Sequence, residues 1–147
     1  MIRYLLAALA LVVSVTFLCA QRPTIEQLDA WRTEHRALLD AIRAVESGGD
    51  DDAVGDNGNA IGAYQIWRVY WQDATDWCEA IEGSYEDCKQ RLYAERIIVA
   101  YWHRYARAAL RSGDRETLAR IHNGGPQGAR KRATIKYWTK VSGKLAG

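Results

Sequence analysis

Residues 45–66 have the sequence VESGGDDDAVGDNGNAIGAYQI and contain the clearest structural signals in the chain. Before them, apolar residues recur at helical spacing from Thr24, which forms a capping box with Gln27, so a helix is predicted up to Gly48-Gly49. The glycine- and aspartate-rich loop that follows contains Asn57-Gly58, a tight turn able to reverse a short hairpin. This region therefore predicts a helix, a polar loop and a small amount of β structure.

Beyond this loop the pattern is almost entirely helical. Aromatic residues between positions 64 and 77 predict a short helix, and a long helix follows a polar connection and ends at Gly113. Asp114 is placed to cap another short helix, and residues 135–141 mark a last one. The prediction is a single mainly α domain (α+β class) with about five helices and at most one hairpin.

The charges balance overall but are segregated along the chain. Of the 147 residues, 20 are basic and 18 are acidic, so net charge gives no argument for a nucleic-acid partner. Residues 117–147 contain seven Lys or Arg and no acid. This basic C-terminal segment is either a solvated helix or a docking surface for a polyanion such as a bacterial wall. We expect no specific nucleic-acid partner, because no recognised nucleic-acid-binding motif accompanies the basic segment.

The N-terminus has the pattern of an export signal. Arg3 precedes an apolar stretch that continues to residue 20, which is typical of a cleavable secretory signal over residues 1–20. The alternative is an uncleaved anchor, because residues 4–20 are just long enough to span a bilayer. We expect the mature chain, residues 21–147, to be secreted or periplasmic, with no stable membrane association after cleavage.

Export would place Cys78 and Cys88 in an oxidising compartment. An even pair can then close one short disulfide loop, and two free thiols are the alternative. Their spacing and acidic neighbours do not form a zinc signature. The loop from Asp50 does not match a calcium-binding EF-hand, because its twelfth position is Ile61. No metal and no cofactor are expected.

Glu46 and Asp56 are the candidate catalytic pair. Glu46 lies four residues after Ile42, on the buried side of its helix, where partial desolvation and the helix dipole both disfavour a charged carboxylate. That suits a general acid, and a helix-end Glu bonded to nearby backbone is the alternative. Asp56 lies in a polar loop that favours ionisation. One neutral and one charged carboxyl are what glycoside hydrolysis requires.

Aromatic side chains follow directly on this loop. Six tryptophans in a chain of this length must mostly be core residues. Aromatic faces also stack on sugar rings, so we expect one or two of Tyr64, Trp67 and Trp71 to line a cleft.

Several motifs, in order, resemble a known family. Glu46-Ser47-Gly48 and the Gly-x-x-Gln-Ile pattern of residues 62–66 are similar to signatures of the lysozyme-like superfamily. Four further segments are similar to invertebrate-type (i-type) lysozymes, the destabilase group: residues 70–74 (YWQDA), 104–106 (RYA), 122–128 (HNGGPQG) and 134–138 (TIKYW). The similarity runs from about Ala44 to Val141.

The resemblance implies a lysozyme-like catalytic domain over residues 21–147, with a small hairpin beside a substrate cleft. It implies cleavage of the β-1,4 bond between N-acetylmuramic acid and N-acetylglucosamine in peptidoglycan. Glu46 matches the family's general acid, and Asp56 matches its second carboxylate. The expected substrate-binding residues are Tyr64, Gln65, Trp71, His122 and Asn123.

Two departures from the family pattern matter. The family is usually rich in disulfides, whereas this chain keeps at most the Cys78–Cys88 bridge, so its helices must hold together by packing. Residues 59–61 (NAI) replace a Ser-Leu-Ser segment, which weakens Asp56 as a strict equivalent. The replacement also argues against an isopeptidase activity, which needs a serine nucleophile beside a histidine.

Two alternatives to a two-carboxylate muramidase stay open. The segment from residue 54 to residue 66 also resembles lytic transglycosylases, in which Glu46 would act alone as acid and then base. A non-catalytic wall-binding module is the other alternative, although a partly buried Glu46 has no use there. Peptidoglycan glycan strands are the expected partner in each case.

Overall fold

The computed structural model describes residues 22–146. This part of the chain forms seven α-helices: α1 Ile25–Glu34, α2 Arg36–Ser47, α3 Arg68–Trp77, α4 Arg91–Tyr105, α5 Arg107–Ser112, α6 Arg115–Gly124 and α7 Ala133–Leu145. Its three strands are β1 Val54–Gly55, β2 Ala60–Ile61 and β3 Ile66–Trp67. Short 3₁₀ turns occupy Asp56–Gly58, Tyr85–Lys89 and Gly128–Arg130. The predicted signal at residues 1–20 lies outside the described residues.

The mainly α fold class is confirmed, and several predicted helix ends are where the sequence places them. Thr24 and Gln27 form the reciprocal capping box of α1. Gly48 and Gly113 end α2 and α5 in the left-handed conformation, with φ of 68° and 71°. The side chain of Asp114 caps α6. Among residues 22–146, no helix is long and apolar enough to cross a bilayer.

The helix count differs from the predicted five because two predicted helices are each divided in two. The first divides at His35, whose backbone leaves the helical region (φ −96°, ψ 20°) and whose buried Nε2 lies 2.9 Å from the carbonyl oxygen of Leu110. The long helix divides at Ala106 (φ −140°, ψ 35°). Neither residue is Gly or Pro, so the local sequence carries no signal for these breaks.

The predicted hairpin forms, and a third strand extends it. The antiparallel order is β1-β2-β3, with Val54 opposite Ile61 and Ala60 opposite Trp67. Asn57, in the turn between β1 and β2, has the left-handed φ of 56° that such a turn favours. The sheet therefore brings the Asp56 turn and the end of β3 together.

Helix α4 runs through the centre of the core. It packs against α1, α3 and α6, and nearly all its residues from Ala94 to His103 are buried. Trp102 has no exposed surface and donates its indole N–H to the carbonyl oxygen of Leu118 at 3.0 Å. Helix α7 packs against α2 and α6, which places Tyr137 beside the C-terminal end of α2.

A buried carboxylate ties these helices together. Glu95 has no exposed surface, and it accepts hydrogen bonds from Tyr64 at 2.7 Å, Arg91 at 2.9 Å and Arg32 at 3.0 Å, as well as two from Arg36. Burial opposes its charge, but these donors outweigh burial and lower the pKa of Glu95 to about 2. The network joins α1, α2 and α4 to the segment that precedes β3.

The predicted disulfide between Cys78 and Cys88 is wrong, because both residues are free thiols. The Cys78 thiol donates to the carbonyl oxygen of Pro23 at 3.2 Å. Cys88 lies in a 3₁₀ turn that packs closely on Gly62, and burial raises the pKa of its thiol to about 12. The two thiols thus face different neighbours, and the helices hold together by packing and by the Glu95 network.

Candidate active site

Glu46 lies in the last turn of α2 and is partly buried. Its Oε1 accepts a hydrogen bond of 2.7 Å from the hydroxyl of Tyr137, and Nε2 of His122 lies 3.6 Å from the same oxygen. Burial raises the pKa of Tyr137 well above its ordinary value, so this hydroxyl keeps its proton and acts as a donor. A neutral Glu46 would therefore carry its own proton on Oε2.

The residue after Glu46 fixes the end of α2 to the turn between β2 and β3. The hydroxyl of Ser47 donates to the carbonyl oxygen of Ala63 at 2.9 Å and accepts from the backbone N–H of Gly49 at 3.1 Å. The Glu-Ser-Gly motif thus combines an acid, a tether and a left-handed helix end.

Asp56 opens the turn between β1 and β2 in a left-handed conformation, with φ of 48°. The side-chain amide of Asn59 donates to its carbonyl oxygen at 2.8 Å and stabilises this turn. Oδ2 of Asp56 accepts a hydrogen bond of 3.1 Å from the indole N–H of Trp67. A non-glycine residue held in this conformation is uncommon and often marks a functional site.

A cleft of about 340 Å³ lies between α3 and the loop after α6. It is lined by Trp67, Val69, Tyr70, Asp73, Tyr101, residues 122–126 and Lys131. Each candidate carboxylate contacts one wall residue, Glu46 through His122 and Asp56 through Trp67. Glu46 and Asp56 reach this cleft through those contacts and are not among its lining residues. A larger cleft of about 550 Å³ lies elsewhere, around the arginines of the Glu95 network.

Contacts between lining residues hold the cleft wall together. The ring of Tyr70 stacks on Tyr101 with centroids 3.7 Å apart, and its hydroxyl lies 3.3 Å from Nδ1 of His122. Burial raises the pKa of Tyr70, so its hydroxyl is a fixed neutral partner for the imidazole. Tyr70, His122, Glu46 and Tyr137 thus form one continuous chain of contacts.

Only part of the predicted substrate-binding set lines this cleft. His122 and Asn123 do. Tyr64 does not, because it is fully buried and its hydroxyl binds Glu95. Gln65 bonds the carbonyl oxygens of Ala53 and Gly62 behind the sheet, and Trp71 donates its indole N–H to Tyr93 at 2.9 Å. These three residues support the structure around the cleft.

Sequence reasoning also passed over residues that matter. Tyr137, which lies within the last predicted helix, is the hydrogen-bond donor to Glu46, and nothing in the sequence pattern assigns it this role. Trp67, named with Tyr64 and Trp71 as one of three aromatic candidates, is the one that lines the cleft. No sequence signal separates Trp67 from the other two, because its position at the end of β3, directly before α3, is known only from the structure.

Comparison with known proteins places the chain in a family. The destabilase family model matches residues 35–143, which include both candidate carboxylates and the whole cleft wall. The chain belongs to the destabilase family. The identification made from the motifs is thereby confirmed.

Curated relatives of this chain are named lysozymes. Lysozyme 1 of Crassostrea virginica is 40% identical over 86 residues, which cover 58% of this chain and 45% of that protein. Invertebrate-type lysozyme 6 of Caenorhabditis elegans is 34% identical over 91 residues, which cover 57% of this chain and 66% of that protein. The chain thus spans about half to two thirds of the length of these relatives.

Solved structures of lysozymes share the fold. Tapes japonica lysozyme superimposes with a TM-score of 0.61 at 28% identity and covers 72% of this chain and 86% of its own. Meretrix lusoria lysozyme, crystallised in complex with Aeromonas hydrophila PliI, superimposes with a TM-score of 0.60 at 31% identity. The superposition covers 74% of this chain and 88% of the lysozyme. The predicted lysozyme-like fold is confirmed.

Proposed function

We propose that this destabilase is a peptidoglycan glycosidase that cleaves the β-1,4 bond between N-acetylmuramic acid and N-acetylglucosamine. The observation that carries the proposal is the contact of both candidate carboxylates with the wall of one cleft, Glu46 through His122 and Asp56 through Trp67. Relatives and structural neighbours named lysozymes support the substrate class.

In this mechanism Glu46 is the general acid. Its Oε1 is engaged by Tyr137, so Oε2 presents the proton that the leaving glycosidic oxygen takes up. Asp56 is the second carboxylate, as nucleophile or as stabiliser of the oxocarbenium-like state. A nucleophilic Asp56 gives retention of configuration, and a carboxylate that activates water gives inversion, which NMR of the first-formed anomer distinguishes.

One contact favours a second candidate, a lytic transglycosylase. Oδ2 of Asp56 is already committed to the indole of Trp67, which suits a carboxylate with a structural role. Glu46 would then donate a proton and afterwards remove one, closing a 1,6-anhydro ring on the muramic acid. Asp56→Asn separates the two: a muramidase loses most of its turnover, whereas a transglycosylase keeps it.

The deciding experiment is mass spectrometry of the soluble products released from purified peptidoglycan by residues 21–147. Reducing-end muropeptides identify the hydrolase, and anhydro-muropeptides identify the transglycosylase. Glu46→Gln should abolish either product, while the exposed helix-end control Glu34→Gln should leave it unchanged. Folded protein that binds peptidoglycan without releasing glycan would overturn both and indicate a wall-binding module.

Export and wall docking complete the proposal. Residues 1–20 act as a secretory signal, so residues 21–147 form the mature catalytic domain, outside the cell or in the periplasm. The exposed lysines of the basic C-terminal segment, Lys136, Lys140 and Lys144, attract the anionic wall. Binding to insoluble peptidoglycan should weaken as salt rises, and salt-independent binding would refute this part.

A further inference from the structure

Trp67 has a role that no motif assigns. We propose that its indole face is a stacking platform for a pyranose ring of the glycan, and that Asp56 is the positioning residue that holds the platform in place. This inference rests on the proposed function, because it names a sugar contact within the same cleft.

The first argument is exposure. All six tryptophans of the chain lie within residues 22–146, and Trp67 is the only one with an exposed side chain, at 45%. Trp102, by contrast, is fully buried. Val69, two positions on and also in the cleft wall, is 61% exposed. Because leaving large apolar surface in water is unfavourable, such a patch in a cleft indicates a contact surface.

The second argument is that the indole is held in one orientation. Its N–H donates to Oδ2 of Asp56 at 3.1 Å, and its backbone pairs with Ala60 in the sheet. Asp56 reaches it from a left-handed backbone conformation that Asn59 stabilises. A platform fixed in advance loses little conformational entropy when a ligand binds.

The third argument is the chemistry of the surrounding wall. A pyranose ring has an apolar C–H face that packs on an aromatic ring, and hydroxyl groups at its edge that need hydrogen-bond partners. The cleft of about 340 Å³ is lined by both kinds of group, the apolar surface of Trp67 and Val69 and the polar side chains of Asp73, His122 and Asn123.

The test measures binding separately from catalysis, in a Glu46→Gln background that leaves the glycan uncut. Titration calorimetry with a GlcNAc–MurNAc tetrasaccharide compares three variants of this background. Trp67→Ala should raise Kd about tenfold. Trp67→Phe keeps a stacking ring and should raise Kd only about twofold. Leu92→Ala should leave Kd unchanged. Leu92 is the matched control, since it is 44% exposed and lies outside this cleft.

A second measurement does not depend on the Trp67→Ala variant folding. In the Glu46→Gln protein, the indole N–H resonance of Trp67, assigned by its loss in Trp67→Phe, should shift on titration while that of Trp102 stays fixed. Equal affinity of Trp67→Ala and its parent, or an unmoved Trp67 resonance, would overturn the platform. If the sugar binds through Trp67 but peptidoglycan is not cut, only the proposed activity fails.

The positioning role of Asp56 has its own test. Asp56→Asn keeps an oxygen that accepts from the indole, so sugar affinity should stay within about twofold, whereas Asp56→Ala removes the acceptor and should weaken binding about fivefold. Equal affinities for the two variants would refute the positioning role.

Discussion

Replacing Glu95 by glutamine tests the buried network that joins α1, α2 and α4. The pKa of Glu95 is lowered from its ordinary 4.5 to about 2 by the arginines and the tyrosine that contact it, against the opposing effect of burial. A difference of about 2.5 pH units corresponds to about 3 kcal/mol of stability at neutral pH. Glutamine has nearly the same shape but no charge, and it leaves three guanidinium groups without their shared partner.

The pH dependence follows from the direction of this shift. Because the folded-state pKa lies below the unfolded-state value, the stabilisation is complete above about pH 4.5 and is lost as the pH falls through about 2. Urea denaturation of wild type and Glu95→Gln, followed by tryptophan fluorescence, measures the free energy of unfolding. We expect a difference of about 3 kcal/mol at pH 7 that shrinks to under about 1 kcal/mol at pH 2.

The control is Glu34→Gln, which removes an exposed carboxylate at the end of α1 and should change stability by less than about 0.5 kcal/mol. Other carboxylates also titrate in this range, but they are common to both proteins and cancel in the difference. A Glu95→Gln deficit that stays constant from pH 7 to pH 2 would refute the electrostatic explanation, because it would then arise from packing alone.

Three further changes have defined outcomes. Tyr137→Phe removes the hydrogen-bond donor to Glu46 and should lower kcat about tenfold without changing KM. Muropeptide release measures both constants, and a change in KM alone would contradict the role of Tyr137 in positioning the acid. Gly62→Ala places a Cβ 2.4 Å from the carbonyl oxygen of Cys88 at a φ of +75°, so denaturation should show a loss of about 2 kcal/mol. Cys78 and Cys88 should resist iodoacetamide in the folded protein at pH 8 and react once it is unfolded in urea, because burial raises the pKa of both thiols.

The positions of several helix ends can be predicted from local chemistry in the sequence. Gly48 and Gly113 act through their own backbone conformation, and the side chains of Thr24 and Asp114 each accept a hydrogen bond from the backbone N–H three residues further on. These interactions are local, so they can be predicted without knowledge of the fold. The break at His35 is different, because its ring contacts the carbonyl oxygen of Leu110, far away in the chain. Such a contact exists only after the helices have packed.

The same distinction applies to the candidate site. Glu46 was placed correctly on the buried side of its helix, since helical periodicity is local. Which of Tyr64, Trp67 and Trp71 faces the cleft depends on the left-handed backbone of Gln65, with φ of 50°, and on the pairing of β2 with β3. Neither follows from aromatic spacing, so the sequence could not show that Trp67 lines this cleft while Tyr64 and Trp71 lie outside its lining.

The Glu95 network connects stability to the geometry of the site. Arg36, which donates two of its hydrogen bonds, lies on α2, the helix that ends at Glu46. Tyr64, another donor, lies three residues before Trp67. The proposed acid and the proposed sugar platform are therefore attached, through short rigid segments, to the same buried carboxylate. The two described cysteines are both free, so no disulfide between them fixes this part of the fold. The Glu95 network therefore sets the position of Glu46 relative to Trp67 without a covalent crosslink.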